Sequence, residues 1–298
     1  MKNKWMWVGI GGALGLFFLF AVSMLIAVAL FSGERHFVAG SGVGLAEVKG
    51  VIIDSQETVK QLTDLRKDGR VKAVVLRIDS PGGVVGPSQE IYTEVKRLAA
   101  AKKVVVSMGS IAASGGYYIA APASVILANP GTITGSIGVL MRFSNLEGLL
   151  GKIGMKAFTL KTGKFKDVGS PVRPMTDQDR EMLQNVIDNT HSQFVRAVSE
   201  GRKLPIADVR AIADGRIFTG EQAMALKLVD RLGTLQDAIE EAGRLAGIKG
   251  EPEIIRPPRK KKLLLDMLVE ETAARIEGTL ARQESGFSVN YELEGAGR

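Results

Sequence analysis

Ser114 lies in Ala112-Ala113-Ser114-Gly115-Gly116-Tyr117-Tyr118, among residues too small to cover it. The apolar run before it and the apolar stretch after it place it between a strand and a helix. A serine at such a turn is open to substrate and lies beside the free N–H groups of a helix start. Those donors stabilise an alkoxide or the oxyanion of a tetrahedral intermediate, which is acyl-transfer chemistry. Taken alone, the motif fits a helix-capping serine better. Ser80-Pro81-Gly82-Gly83 is the second feature. A glycine pair after a buried strand lets backbone N–H groups approach a ligand, and offers an edge to an extended peptide; it is also an ordinary strand-to-helix turn.

A serine nucleophile needs a base. The chain has two histidines, His36 before the folded body and His191 at the flank of a helix, and neither spacing suits a His-dependent triad. A lysine serves instead when burial strips its proton. Residues 159–169 offer Lys161, Lys164 and Lys166. Their spacing does not choose among them, and a solvated basic loop is the other reading. With no cysteine, thiol nucleophiles, disulfides and thiolate-bound zinc are excluded.

The elements that must position these groups follow from periodicity. Residues 48–53, 72–79, 104–106 and 125–127 read as strands, with Ala73-Val74-Val75-Leu76 a continuous apolar run. Residues 55–66, 88–100, 177–200, 220–226 and 234–246 carry helical spacing, and residues 109–116 lead into a helix ending near Ala121. Strands alternating with helices predict a mainly parallel sheet covered on both faces. Pro257-Pro258 ends the body. Beyond it come a basic patch (259–262), helical spacing over 263–280 and a polar stretch, 283–298, expected to be mobile.

Together these pieces resemble the signal peptide peptidase A family, serine proteases of the Clp-protease/crotonase fold. The resemblance runs from about Gly50 to Gly247. It rests on Ile78-Asp79-Ser80-Pro81-Gly82-Gly83, Ala113-Ser114-Gly115-Gly116-Tyr117-Tyr118, Thr134-Gly135-Ser136-Ile137-Gly138-Val139 and Lys164-Phe165-Lys166-Asp167, in that order, with 52 residues from Ser114 to Lys166. It implies an α/β fold, a repeated ββα superhelix with mainly parallel sheets. It also implies roles: Ser114 the nucleophile, Lys166 the base, Ser136 the residue orienting the lysine amine. Backbone N–H groups of Gly83 and Gly115 would form the oxyanion hole. Neither cofactor nor metal is implied. The family further implies a homo-oligomeric ring or dome on the membrane, in which a neighbour completes the groove and supplies one catalytic group. Val84, Val85, Ile111, Tyr117 and Ile137 flank the motifs as groove or core.

Residues 5–31 contain no charge, and as a helix would span roughly 40 Å, more than the hydrocarbon core of about 30 Å. Trp5 and Trp7 suit the interface, and Lys2 and Lys4 precede the run, so the N-terminus is expected in the cytosol and the body outside a bacterial or archaeal inner membrane. Ala27-Val28-Ala29 also resembles a processing site, but the run is about twice the length of a cleavable signal core. The expected organisation is an anchor (1–32), a Gly-rich linker (33–45), a protease domain (46–256) and a basic tail (257–298). Net charge is +7, without the basic–aromatic interleaving of a nucleic-acid face. The expected partners are short apolar peptides, signal peptides first, and the lipid bilayer. Two rivals remain: a crotonase-type acyl-CoA enzyme, which would have no use for Ser114 as nucleophile, and a membrane scaffold without turnover.

Overall fold

The computed structural model describes residues 19–20, 22–24, 41–257 and, as backbone, 290–292. The predicted anchor therefore lies almost wholly outside the described residues, and among those no helix is long and apolar enough to cross a membrane. The predicted helix over 263–280 and the basic patch also fall outside them.

Strand β1 (Gly42–Lys49) opens the body and pairs in parallel with β2 (Val71–Ser80), which pairs in parallel with β4 (Lys103–Ala113). Along β2 the side chains alternate between faces. Val74 and Leu76 join a cluster with Leu62 and Leu65 of α1 (Gln56–Lys67) and Ile91, Val95 and Leu98 of α2 (Val85–Ala101). Ala73 and Val75 pack with Ala238, Ile239 and Ala242 of α8 (Leu235–Leu245) on the other face. This is why the run over 73–76 has no polar position: both faces are covered. Each large side chain so buried contributes about 1.5–3 kcal/mol.

The first half of β4 pairs with β5 (Val125–Ala128) and its last three residues pair with β6 (Ile133–Gly135), both in parallel. At the outer edge β7 (Ile217–Thr219) runs antiparallel to β6, β8 (Arg231–Leu232) lies beside β5, and β9 (Ile254–Ile255) beside β1. The result is a mixed, mostly parallel eight-stranded sheet. Further helices of residues 41–257 are α3 (Gly115–Ala120), α4 (Glu147–Lys152), α5 (Asp177–Arg202), α6 (Ile206–Ile212) and α7 (Gly220–Ala225).

Two expectations are corrected. The strand expected over 48–53 instead spans Gly42–Lys49, beginning inside the supposed linker. Its glycines are packing residues: a Cβ on Gly42 would lie 2.5 Å from the Glu253 carbonyl oxygen, and one on Gly44 2.9 Å from Leu65. The strand at 104–106 continues to Ala113, so the stretch from Gly109 is strand rather than a lead into the helix. The register shifts there, and the Asp79 carboxylate takes over by accepting from Ile111 N at 3.2 Å. Within the tail, β10 (Asn290–Glu292) pairs antiparallel with the short strand β3 (Gly82–Val84).

Candidate active site

The carboxyl ends of β2, β4 and β6 meet at one level, where open parallel sheets bind ligands. Ala113 is the register partner of Gly135, and Ser114 N donates to Gly135 O at 2.8 Å. Ser114 and Ser136, one residue past their strands, therefore sit side by side. Ser136 N is held in turn by Arg216 O at 2.8 Å, beside β7. Thr134 Oγ1 donates to Ala112 O at 2.7 Å and locks the two strand ends together.

Ser114 is not a capping residue. Its side chain makes no cap hydrogen bond, and its backbone has φ 52°, ψ −117°, a region a non-glycine residue enters only at a cost of about 1–3 kcal/mol. Ser136 is held at φ 50°. Strain of this kind persists where the surroundings over-determine it. Here Tyr117 and Tyr118 root α3 in the core. Tyr117 Oη donates to Leu228 O at 2.9 Å, and the Tyr118 ring lies 4.8 Å from Tyr92 and 5.0 Å from Phe194, centroid to centroid. Burial raises both phenols, Tyr118 to about 12, so neither is a base near neutrality. Tyr117 and Ile137 are wholly buried and belong to the core, whereas Val84, Val85 and Ile111 are partly exposed at the site.

The glycine pair completes the cluster. Ser80 Oγ accepts from Gly82 N at 3.1 Å and shapes the turn. Ile52 N donates to Gly82 O at 2.8 Å and Val84 N donates to Ile52 O at 2.7 Å. Backbone groups alternate along a strand, so those of Gly83 face the opposite edge. Gly115 lies against this turn: a Cβ on it would come within 3.2 Å of Gly83 N and 2.7 Å of Ser88 Oγ. The Gly83 backbone thus lies close to Gly115, the residue that follows Ser114; Ser114 is 1% exposed and makes no side-chain hydrogen bond among the described residues.

Of the predicted site residues, Ser114, Ser136, Gly83 and Gly115 come together. Lys166 is exposed, and no hydrogen bond among the described residues joins it to Ser114 or Ser136. Its neighbours separate the three lysines. Lys161 pairs with Asp167 and donates to Lys164 O at 3.0 Å, and Lys164 lies 5.0 Å from the Phe165 ring centroid. Lys166 alone of the three has no partner among the described residues. His191 Nε2 is buried without a hydrogen-bond partner and takes no part. His36 lies outside the described residues.

Sequence reasoning missed the anchor behind Lys166. Arg173 grips Asp167 through Nε at 2.9 Å and Nη2 at 2.8 Å, and reaches Asp179 from Nη1 at 2.6 Å. Asp179 closes a capping box with Thr176 at the start of α5. The backbone next to Lys166 is thereby tied to the longest helix among the described residues. The Arg173 guanidinium holds the Asp167 carboxyl far below the usual range and Asp179 at about 2. Depressed carboxylates contribute stability that is complete above about pH 4 and withdrawn as pH falls through the folded value. Amide protection factors over 161–175, corrected for the intrinsic exchange rate at each pH, should therefore fall between pH 4 and about 2 while those of β2 hold; unchanged protection factors at pH 2 would contradict the anchor.

Among known families, the profile described as "Peptidase family S49" matches residues 96–249 and that described as "Clp protease" matches 50–128. A Synechocystis sp. protein named as a protease is 46% identical over 217 residues, 72% of this chain and 78% of that one. A Methanocaldococcus jannaschii protein, likewise named as a protease, is 44% identical over 230 residues, 77% and 73% of the two chains. An Enterococcus faecium protein named as a signal peptide peptidase is 32% identical over 278 residues, 80% of each.

Proposed function

Since the chain belongs to the signal peptide peptidase A family of serine proteases, peptidase family S49, we propose that it is a membrane-anchored endopeptidase. In this reading it cuts short apolar peptides, signal peptides among them, with a Ser114/Lys166 dyad completed between protomers. One observation carries the proposal: Ser114 is strained and uncapped, at a turn where Gly115 packs against the Gly82-Gly83 backbone. A structural serine has no need of that combination, and neither does an acyl-CoA enzyme.

The peptide lies extended along β3 with its carbonyl between Gly83 and Gly115. Ser114 Oγ attacks, Lys166 accepts its proton, and the two backbone donors stabilise the oxyanion. Lys166 then protonates the leaving amine, and water hydrolyses the acyl-enzyme. Ser136 orients the amine. No cofactor or metal enters these steps.

Lys166 comes from a second copy. It is exposed in the single chain, on a segment that also exposes Leu149, Ile153, Met155, Phe158 (87%) and Leu160 (101%). Apolar surface of this extent is covered in a stable protein, and a neighbouring copy that covers it desolvates Lys166. A ring on the membrane follows, anchored through residues 5–31, with the N-terminus in the cytosol and the body outside, where leftover apolar membrane peptides are released.

A serine-reactive phosphonate, followed by peptide mass spectrometry of the assembled full-length chain, tests this reading. A single adduct on Ser114 is expected, with peptide hydrolysis rising towards alkaline pH because the base must be neutral. Folded, oligomeric protein that takes up no phosphonate and cleaves no apolar peptide would instead be a scaffold.

A further inference from the structure

Helix α2 buries a stripe of side chains. Ser88, Ile91, Val95 and Leu98 recur at spacings of three and four, and only Ser88 among them is polar. The other buried polar side chain of α2, Glu94, is paired with Arg66 and Arg97. Ser88 is 0% exposed, and the helix itself has no need of its hydroxyl. Ser88 Oγ donates to Val84 O at 2.9 Å. Val84, however, is the N-cap residue, whose carbonyl already accepts the first intrahelical hydrogen bond. A serine bonded back to the carbonyl four residues earlier slightly destabilises a helix, and alanine is the better helix former.

The hydroxyl does reach the serine site. A Cβ on Gly115 would lie 2.7 Å from Ser88 Oγ, and 3.2 Å from both Gly82 Cα and Gly83 N. The Ser88 oxygen and the β3 backbone therefore meet where a side chain of Gly115 would begin. Ser88 lies against the residue after Ser114, and through the Val84 carbonyl it holds the residue after Gly83. Gly83 and Gly115 carry the two backbone donors that the proposed function assigns to the oxyanion. The oxygen is a spacer one atom deep. Alanine in its place leaves a gap, and a larger side chain is driven into Gly115.

We infer that Ser88 is a positioning residue of the oxyanion site. Its side chain sets how closely Gly115 approaches the Gly83 strand, and so the separation of the two donors, without touching substrate. The assignment rests on the proteolytic reading above. A donor moved away from the developing oxyanion costs transition-state stabilisation rather than ground-state binding, so the loss falls on kcat while KM holds. Gly115 is the counterpart of Ser88. It begins α3 without a positive φ. Alanine there is opposed only by what its methyl meets, and the nearest atom is the Ser88 oxygen.

Steady-state kinetics on the full-length protein, with a fluorogenic apolar peptide, test the inference as a double-mutant cycle. Ser88→Ala is expected to lower kcat about tenfold with KM within about twofold, short of the roughly 10²–10³ for a donor lost outright. Gly115→Ala should lower kcat by on the order of 10², the scale of a misplaced reacting geometry. Adding Ser88→Ala to Gly115→Ala opens the space that the methyl needs, and should raise kcat at least about fivefold above Gly115→Ala alone. A merely structural residue would not harm the wild-type chain when truncated and yet repair the Gly115 variant. Ser88→Cys keeps a weak donor but presses a larger atom on Gly115. It should also lose about tenfold in kcat, and decides the matter if Ser88→Ala does not fold. Folded Ser88 variants within about threefold of wild-type kcat, a loss carried by KM instead, or a double variant that gains less overturns the inference and leaves the protease reading standing. Wild-type protein that neither hydrolyses the peptide nor takes up phosphonate overturns both.

Discussion

Lys166→Met should lower kcat/KM by on the order of 10⁴ and suppress phosphonate labelling of Ser114, with little change in melting temperature. Methionine keeps an unbranched stem and removes only the amine, so packing in an assembled interface is nearly preserved. The expectation is specific to this lysine. Lys161 is engaged by Asp167 and the Lys164 carbonyl, and Lys164 lies over the Phe165 ring, whereas Lys166 has no partner among the described residues. Lys164→Met should change kcat/KM by less than about tenfold, the range of a lost peripheral contact. Labelling that survives both Lys166→Ala and Lys166→Met would remove Lys166 from the mechanism.

Gly83→Ala should be nearly as damaging. A Cβ at this position would lie 2.1 Å from the Ile52 carbonyl oxygen and 2.6 Å from Ile52 N, both backbone atoms, at a φ of 157°. The turn has to move, taking with it an oxyanion donor and the peptide-binding edge. Loss of the donor alone costs on the order of 10²–10³ in kcat. Gly86→Ala is the control, because nothing lies within 4 Å of a Cβ there and it begins the adjoining helix. Steady-state kinetics of the two, with circular dichroism to show that the sheet persists, decides the matter. Gly83→Ala within tenfold of wild type would mean that Gly83 does not bind the oxyanion.

What could be read from the amino-acid sequence follows physical range. The β2 run and the amphipathic α5 were legible because local pattern and burial agree there. Gly42 and Gly44 were misread because glycine signals a linker locally, whereas here it admits the Glu253 backbone and Leu65, contacts set by distant chain. The second half of β4 was missed because Gly109 and Ser110 look like a turn. Only the fold brings up Asp79, which fills the space over Gly109 and takes the Ile111 N–H.

The site shows the same division. Ser114 and the glycine pairs stand out because chemistry at a tight turn demands small neighbours. Their mutual approach depends on parallel pairing of β2, β4 and β6, and the positive φ of Ser114 and Ser136 on the hydrogen bonds their N–H groups donate to the Gly135 and Arg216 carbonyls. Spacing could not choose among three lysines; the proposed base is the one without an ion-pair or ring partner among the described residues. Arg173 and Asp179 carried no signal beyond their nearness to Asp167. The strand at 290–292 lay in a polar stretch whose partner is some two hundred residues away.

The dyad divided between copies is most directly tested by mixing. Ser114→Ala and Lys166→Ala chains, each inactive alone, are unfolded together, refolded at equal amounts and assayed for peptide hydrolysis. If each site joins Ser114 of one copy to the lysine of the next, a random ring holds an intact pair at about one junction in four, and about a quarter of wild-type activity returns. Mixed oligomers of normal size that stay silent would contradict the account, since they would place both residues of every working site on a single chain.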